Sequence, residues 1–225
     1  MENRLFSRLD DLSGGVLKGL AHREELATGS ILAKAGNKID RIVFPWSGLI
    51  SLHVDVGGKS PVEVAMVGRN GALGSQGAFG ECYHVANAIC QTGGVALSLA
   101  VGHVGDLAQS SKEARDLLVH QAQRYLAEAS LLAGCAAVHS ASQRVASWML
   151  RAMDAAGSSE LWATQEIIAG SLGLQRASVT SIARHFSEKG AITYRRGRIR
   201  IADPELLVTH ACGCQERLAR QKQLF

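Results

Sequence analysis

Two short apolar patterns separated by a glycine, between residues 161 and 192, constrain the fold of this sequence more than any other feature. Thr164 can cap a helix through its hydroxyl oxygen, and Glu166 then lies in the first turn, where the helix dipole favours negative charge. Gly173 stands where a tight turn between two helices needs a residue without a Cβ. Apolar side chains recur at helical spacing on both sides of that turn: Ile167, Ile168 and Leu172 before it, and Val179, Ile182, Ala183 and Phe186 after it. This combination predicts a helix-turn-helix.

A basic β-hairpin is predicted directly after the second helix. Ile192 and Tyr194 precede the sequence "RRGR", and Ile199 and Ile201 follow it, as in two paired strands. Arginines gather at the tip and on the outer face of this hairpin, where they can neutralise phosphates: Arg195, Arg196, Arg198 and Arg200. The alternative is an ordinary solvated charge run. Residues 140–225 contain 12 Lys and Arg against 7 Asp and Glu, whereas residues 1–139 contain 12 against 13, which favours a polyanionic partner for the C-terminal part.

The sequence from about residue 25 to 100 has a different character, with many glycines and short β-type runs. Turn residues separate these runs at short intervals, which predicts an antiparallel barrel or sandwich. In residues 50–56 apolar and polar side chains alternate, so Ile50 and Leu52 are expected on a buried face and Ser51 and His53 on the opposite face.

A long helix is predicted after Gly105, because the next 30 residues contain no proline and one glycine. Within it a row of side chains alternates four and three residues apart: Leu118, Ala122, Tyr125, Ala129, Leu132 and Ala136. Such a row predicts the seam of a parallel dimer helix. The alternative is a stripe packed against the chain's own barrel. A second helix is predicted from Ser140 to near Gly157.

At this point the chain resembles the Crp/Fnr family of bacterial transcription regulators. The pattern T-Q-E-x-I-A-x-x-L-G-x-x-R-x-S-V extends from Thr164 to Val179, followed by "EKGAI" at 188–192 and "GRIRIAD" at 197–203. The resemblance implies an α+β chain with three parts. These are an antiparallel β jelly-roll sensor domain similar to cyclic-nucleotide-binding barrels (1–105), a long dimerisation helix (106–139) and a C-terminal winged helix-turn-helix that binds DNA (140–225).

The resemblance also implies how this domain meets double-stranded DNA. As a homodimer on a pseudo-palindrome, each subunit would place the helix at about 175–187 in the major groove and the wing at 194–201 on phosphates. Arg176 matches the family's base-reading arginine, whereas Ala177 and Ser181 replace an acidic residue and a second arginine of the best-known members. The predicted base-reading residues are Gln175, Arg176, Ala177, Thr180 and Ser181. The predicted phosphate contacts are Thr164, Ser178, Arg184, Arg195, Arg196 and Arg198. An activator of this kind would also contact RNA polymerase.

The effector of the sensor barrel is left open by the sequence. The family's cyclic-nucleotide region corresponds to residues 71–94, where the candidate pocket residues are Gly71, Gly74, Ser75, Val85 and Ala86. Ser75 replaces a glutamate, Val85 stands at about the position of an arginine, and no Lys or Arg occurs between Arg69 and Lys112. Since burying an unpaired anion is costly, cyclic AMP or GMP is not expected.

Cysteine chemistry suggests no cofactor either. The iron-sulfur branch of the family uses cysteines near the N-terminus, and no cysteine precedes Cys82. "CYH" at 82–84 resembles the Cys-x-His of the family's haem-dependent carbon-monoxide sensor, but at a displaced position, so haem is not expected. Cys212 and Cys214 could bind a metal or react with an oxidant, but two thiols do not complete a tetrahedral metal site, so a structural role is the main interpretation and the redox or metal role stays open. An unidentified neutral ligand, or no ligand, remains.

Other function classes are disfavoured by the residues. The sequence contains no P-loop, nucleophile elbow or paired carboxylates, so an enzyme is not expected. The apolar runs are too short to cross a bilayer, the N-terminus lacks a signal peptide, and the five cysteines form no disulfide framework, so a cytoplasmic protein is expected. The alternative function is a redox or small-molecule sensor whose C-terminal domain acts mainly as a protein-interaction module.

Overall fold

The computed structural model describes residues 3–57 and 60–214, so the last eleven residues of the predicted DNA-binding domain lie outside the described residues. Two short helices precede the barrel, α1 (Arg4–Leu12) and α2 (Val16–Leu20). Asn3 caps α1 by accepting a hydrogen bond from the backbone N–H of Phe6. Leu5, Phe6 and Leu9 form the apolar face of α1. They are buried because this face packs against strand residues such as Phe44.

Seven antiparallel strands form the barrel, as the sequence predicts. They are β1 (His22–Leu26), β2 (Ile31–Ala33), β3 (Arg41–Pro45), β4 (Leu49–Val54), β5 (Val62–Val67), β6 (Asn87–Thr92) and β7 (Gly94–Ala100). One sheet has the strand order β1-β7-β3 and the other β2-β6-β4-β5. A short 3₁₀ helix, Ser75–Phe79, lies between β5 and β6.

The predicted long helix is two helices. α3 (Val101–Ser110) follows β7 directly, so the expected boundary between residues 105 and 106 falls inside it. Ser111 adopts an extended conformation and caps α4 (Lys112–Val138) by accepting from the N–H of Ala114. The break occurs because Ser111 can satisfy a free N–H of the new helix with its own side chain.

The first part of the row predicted as the dimer seam faces the barrel of its own chain. Leu118 is fully buried in a core with Ile42 and Leu99, and the hydroxyl of Tyr125 donates to the carbonyl of Ala72. Leu118 and Tyr125 therefore pack as the alternative interpretation expects, whereas Ala136 at the end of the row is exposed. The exposed face carries a parallel row one residue further along: Val119, Gln123, Leu126, Ser130, Ala133 and Ala137.

The C-terminal domain combines helices with a small sheet. Its elements are α5 (Ala141–Ala156), β8 (Glu160–Trp162), α6 (Gln165–Leu172), α7 (Arg176–Glu188), β9 (Ile192–Arg195), β10 (Arg198–Ile201) and α8 (Pro204–His210). The three strands have the order β8-β10-β9. Trp148, Met149, Ile168, Val179 and Phe186 lie in one continuous buried cluster. The α+β jelly-roll and winged helix-turn-helix predicted from the sequence are thereby confirmed.

The two domains contact each other through polar groups on the barrel. The predicted polar face of β4 is buried, since Ser51 is 0% and His53 7% exposed. The Nε2 atom of His53 lies 3.3 Å from the hydroxyl of Ser171 on α6, and the Gln91 amide donates to the carbonyl of Trp162 on β8 at 2.8 Å. The polar face of β4 is thus covered by the C-terminal domain. Among the described residues, no helix has the length and apolar character needed to span a membrane.

Candidate nucleic-acid interface

The helix-turn-helix is built by local signals that agree with one another. The hydroxyl oxygen of Thr164 accepts from the N–H of Ile167 at 3.1 Å, so the predicted cap at the start of α6 is confirmed. Gly173 ends α6 with a φ of +61°, a left-handed conformation that costs glycine little. α7 then buries Val179, Ala183 and Phe186 against α5 and α6, which leaves its opposite face to solvent.

That opposite face contains the predicted base-reading residues. Gln175 precedes α7 as its N-cap, and all five residues predicted to read bases are exposed: Gln175, Arg176, Ala177, Thr180 and Ser181. Ser178 and Arg184, predicted phosphate contacts, are exposed as well. α7 starts at Arg176 and ends at Glu188, one residue later than predicted at each end.

Two neighbours restrain side chains on this face. The Nε atom of Arg176 lies 3.6 Å from a carboxylate oxygen of Glu166, with both side chains mostly exposed. The hydroxyl of Thr180 donates to the Gln165 side-chain oxygen at 2.6 Å. Arg184 is paired with Glu188 at 2.8 Å. Glu166 and Gln165 both lie on α6, so the first helix of the motif positions side chains of the second.

The basic hairpin forms the predicted wing. β9 pairs with β10 through Arg195 and Arg198, and Arg196 and Gly197 make the turn between them. Arg195, Arg196, Arg198 and Arg200 are exposed. The Tyr194 hydroxyl oxygen accepts from the N–H of Gln165 at 3.2 Å, which fixes the wing beside the beginning of α6.

The third strand of the wing sheet was not predicted. β8 pairs with β10, and its Trp162 lies under the guanidinium of Arg198 at 5.7 Å from the ring centroid. Such a cation–π contact restrains the arginine. β8 has only three residues, which is too short for an alternating pattern to predict a strand. Trp162, close before the helix cap Thr164, was the one residue type in it that favours a strand.

This chain is similar to a known domain family in sequence and to known proteins in structure. Residues 143–209 match the model of the Crp-like helix-turn-helix domain. No curated protein sequence matches the chain. A Crp/Fnr-family transcriptional regulator of Eubacterium rectale has a similar structure, with a TM-score of 0.69 and 17% identity over 95% of this chain and 98% of that one.

Two further structures extend the similarity. FixK2 from Bradyrhizobium japonicum gives a TM-score of 0.73 at 13% identity, over 85% of this chain and 98% of its own. TTHA1359 of Thermus thermophilus is a transcriptional regulator of the CRP/FNR family. It gives a TM-score of 0.65 at 22% sequence identity, over 84% of this chain and 98% of its own. The chain as a whole therefore has the fold of these Crp/Fnr-family structures. The match of residues 143–209 to the Crp-like helix-turn-helix domain agrees with the winged helix-turn-helix that the sequence resemblance implied.

The five candidate effector-pocket residues differ in burial. Val85 is 84% exposed, so its predicted place in a pocket is wrong. Ser75 and Ala86 are buried, Gly74 caps the 3₁₀ helix, and Gly71 lies under α4. α4 also brings a basic group that the local sequence did not reveal, because Arg124 donates to the carbonyl of Asn70.

Cavities instead lie where the barrel meets other elements. One of about 180 Å³ lies between β5, α4 and α5 and is lined by Glu63, Leu132 and Trp148. Another of about 350 Å³ lies between β6 and α6, near His53 and Ile167. A third, of about 460 Å³, lies near Trp46 and Gly157. None of these three cavities is lined by the candidate effector residues of the described chain.

Proposed function

We propose that this chain acts as a homodimeric, sequence-specific transcription regulator that inserts α7 into the DNA major groove. The exposed, small and polar outer face of α7 is the observation that supports this most directly. Val179, Ala183 and Phe186 on the opposite face pack α7 into the domain core. The exposed face of α7 is therefore not needed for packing within the domain. The wing arginines beside the start of α6 would contact flanking phosphates.

Arg176 is proposed as the main reader of base sequence. It lies at the first position of α7, and its partner Glu166 is exposed, so exchange of that weak ion pair for a guanine edge costs little. A bidentate arginine–guanine contact contributes about 1–3 kcal/mol of discrimination, which corresponds to roughly 5- to 150-fold in Kd.

Selection of binding sites from random DNA, with wild type and Arg176→Ala, tests this proposal. We expect the wild type to select a two-fold symmetric site whose half-sites lie about 34 Å apart, and the variant to lose the preference for guanine at one position of each half-site. The barrel variant Arg23→Ala, which removes an exposed arginine far along the chain from α7, serves as control. An identical half-site for wild type and Arg176→Ala would contradict the role of Arg176. Absence of any selected site would contradict the regulator proposal and favour a protein-interaction module.

Dimerisation is proposed to occur through the exposed row of α4. Its members are Val119, Gln123, Leu126, Ser130, Ala133 and Ala137, which alternate four and three residues apart. Leu126 is 70% and Val119 38% exposed, so the row presents apolar surface to solvent, which is typical of an interaction site when it is contiguous. Small residues at the later positions allow two helices to approach closely. The docked second copy would bury this row.

We further propose that the barrel works without a cyclic nucleotide or haem. The strands bury a packed interior that includes Val43, Ile50 and Ala88, and none of these three residues lines the cavities described above. Calorimetric titration with cyclic AMP and cyclic GMP is expected to give no binding heat, and the purified protein no Soret absorption. Binding of either nucleotide at micromolar concentration would overturn this part.

A further inference from the structure

Four potential metal ligands converge where the end of α4 meets the chain after α8. Cys135 lies in the last turns of α4, and His139 is its C-cap residue. Cys212 and Cys214 follow α8. The three sulfur atoms and a ring nitrogen of His139 all lie within 4.8 Å of one another.

The distances within this Cys₃His cluster are those of ligands around a single ion. The sulfur atoms of Cys135 and Cys212 are 3.7 Å apart, and the Cys214 sulfur lies 4.0 Å from Nδ1 of His139. A tetrahedral zinc ion with Zn–S bonds of about 2.3 Å separates two sulfur ligands by about 3.8 Å. An iron-sulfur cluster holds its cysteines further apart, because they bind different iron atoms.

The surroundings also suit a structural metal site. Cys135 and Cys212 are buried, whereas His139 and Cys214 are partly exposed, which leaves a path for an ion to enter. The Ser147 hydroxyl lies 3.1 Å from the sulfur of Cys212 and accepts from the Cys212 N–H at 3.1 Å. A hydroxyl in this position orients a ligating thiolate, as outer-shell hydrogen bonds do in metal sites.

We propose that Cys135, His139, Cys212 and Cys214 bind one zinc ion in a tetrahedral site. Thiolate and imidazole ligands in this number favour zinc over the hard ions that prefer oxygen. This zinc site is separate from the proposed DNA-binding surface. Its metal binding can therefore be measured in the absence of DNA. The sequence suggested only the two thiols at 212 and 214, because Cys135 lies 77 residues before Cys212 and His139 lies 75 residues before Cys214.

The location gives the ion a mechanical role. His139 and Ser140 join α4 to α5, so the cluster spans the connection between the proposed dimer helix and the DNA-binding domain. A bound ion would tie α4 to the end of that domain and restrict how the α7 helices of a dimer are oriented. Binding to the folded state alone would also stabilise the chain.

Metal content and cobalt spectra test the proposal on the full chain. Protein purified without chelator is expected to contain about one zinc ion per chain by elemental mass spectrometry. After removal of zinc, titration with Co²⁺ is expected to give the visible bands of tetrahedral cobalt and a thiolate-to-cobalt charge-transfer band. Loss of one ligand in Cys214→Ser or His139→Ala is expected to weaken binding by more than about tenfold, since even outer-shell changes cost that much.

Cys82→Ser is the matched control, because Cys82 is a partly exposed cysteine outside the cluster. It should bind zinc as the wild type does. If a ligand variant fails to fold, the cobalt titration of the wild-type apoprotein still decides the question. Octahedral, weakly coloured cobalt, or a Cys135–Cys212 disulfide in protein purified under reducing conditions with no zinc, would overturn the proposal. Normal zinc binding without DNA selection would reject only the proposed DNA-binding function.

Discussion

Arginines at the wing and on α7 carry the same charge but have different expected roles. The wing arginines Arg195 and Arg196 lie at a hairpin tip, where they reach a phosphate backbone that has no sequence information. Arg195→Ala is therefore expected to weaken binding to specific and random DNA by a similar factor. It should lower the slope of log affinity against log salt by about 1.

Gel-shift titrations between roughly 50 and 200 mM salt measure this slope. Arg176→Ala provides the comparison, because it should reduce specific binding more than non-specific binding. If Arg195→Ala altered the selected sequence and left the salt slope unchanged, the assignment of the wing to phosphates would fail.

Gly68 shows how closely the two domains approach each other. A Cβ at this position would lie 1.9 Å from the carbonyl oxygen of Ala155 in α5, and the next residue, Arg69, donates its N–H to the same oxygen. Gly68→Ala must push α5 away from the barrel. We expect the free energy of unfolding to fall by about 1–3 kcal/mol, as for other overpacked sites.

Urea denaturation of Gly68→Ala and Gly102→Ala measures this effect. A Cβ at Gly102, in α3, meets no atom within 4 Å, so the control is expected to be neutral or more stable by up to about 1 kcal/mol. Equal midpoints for the two variants would mean that α5 and the barrel do not pack this closely in solution.

At the scale of elements, local signals predicted the helix-turn-helix and its wing, whereas packing decided the rest. The cap at Thr164, the turn at Gly173 and the buried stripe of α7 all lie within a few residues of one another, so each supports the same structure. The sequence does not separate the predicted row of α4 from the proposed row one residue further along, because apolar and small residues occur in both. Periodicity cannot tell which row faces the barrel. The burial of the polar face of β4 was not predicted, because the domain that covers it is distant in sequence.

The exposed row of α4 leads to a prediction about assembly. Leu126→Arg would place two charges opposite each other in the proposed seam, where nothing compensates them. We expect this variant to sediment as a monomer at micromolar concentration and to lose specific DNA binding. Val56→Arg is the matched control, because Val56 is also 70% exposed but lies on the barrel. A dimeric Leu126→Arg protein, or a monomeric Val56→Arg protein, would reject this seam.

At the scale of the whole molecule, a buried charged network joins the barrel, α4 and the DNA-binding domain. Arg151 on α5 contacts Glu128 on α4 at 2.6 Å and Glu63 on β5 at 3.3 Å. Ser51 on β4 donates a short hydrogen bond to Glu63. One guanidinium thus serves two carboxylates from two other elements. If either Glu63 or Glu128 is neutral, Arg151 and the remaining carboxylate form an ion pair without net charge.

Burial raises the pKa of Glu63 to about 7, although Arg151 and Ser51 act in the opposite direction. Because the pKa in the folded state exceeds the ordinary value of 4.5, the folded chain binds more protons than the unfolded chain between these two values. The contribution of Glu63 to the free energy of unfolding is therefore largest below about pH 4.5. It is lost as the pH rises to about 7, by about 1 kcal/mol per pH unit at most.

The variant Glu63→Gln isolates this contribution, because the amide keeps the shape but does not titrate. His53, which pairs with Glu63 across β4 and β5, has a pKa lowered by burial, so its effect on stability has the opposite sign. That effect is present in both proteins and cancels in the difference between them. Denaturation at about pH 5, 6 and 7 should show the stability of Glu63→Gln improving relative to wild type as the pH rises. The exposed Glu205→Gln should show no such trend. A constant difference between wild type and Glu63→Gln would mean that Glu63 is ionised throughout and that the network holds both carboxylates as ion pairs.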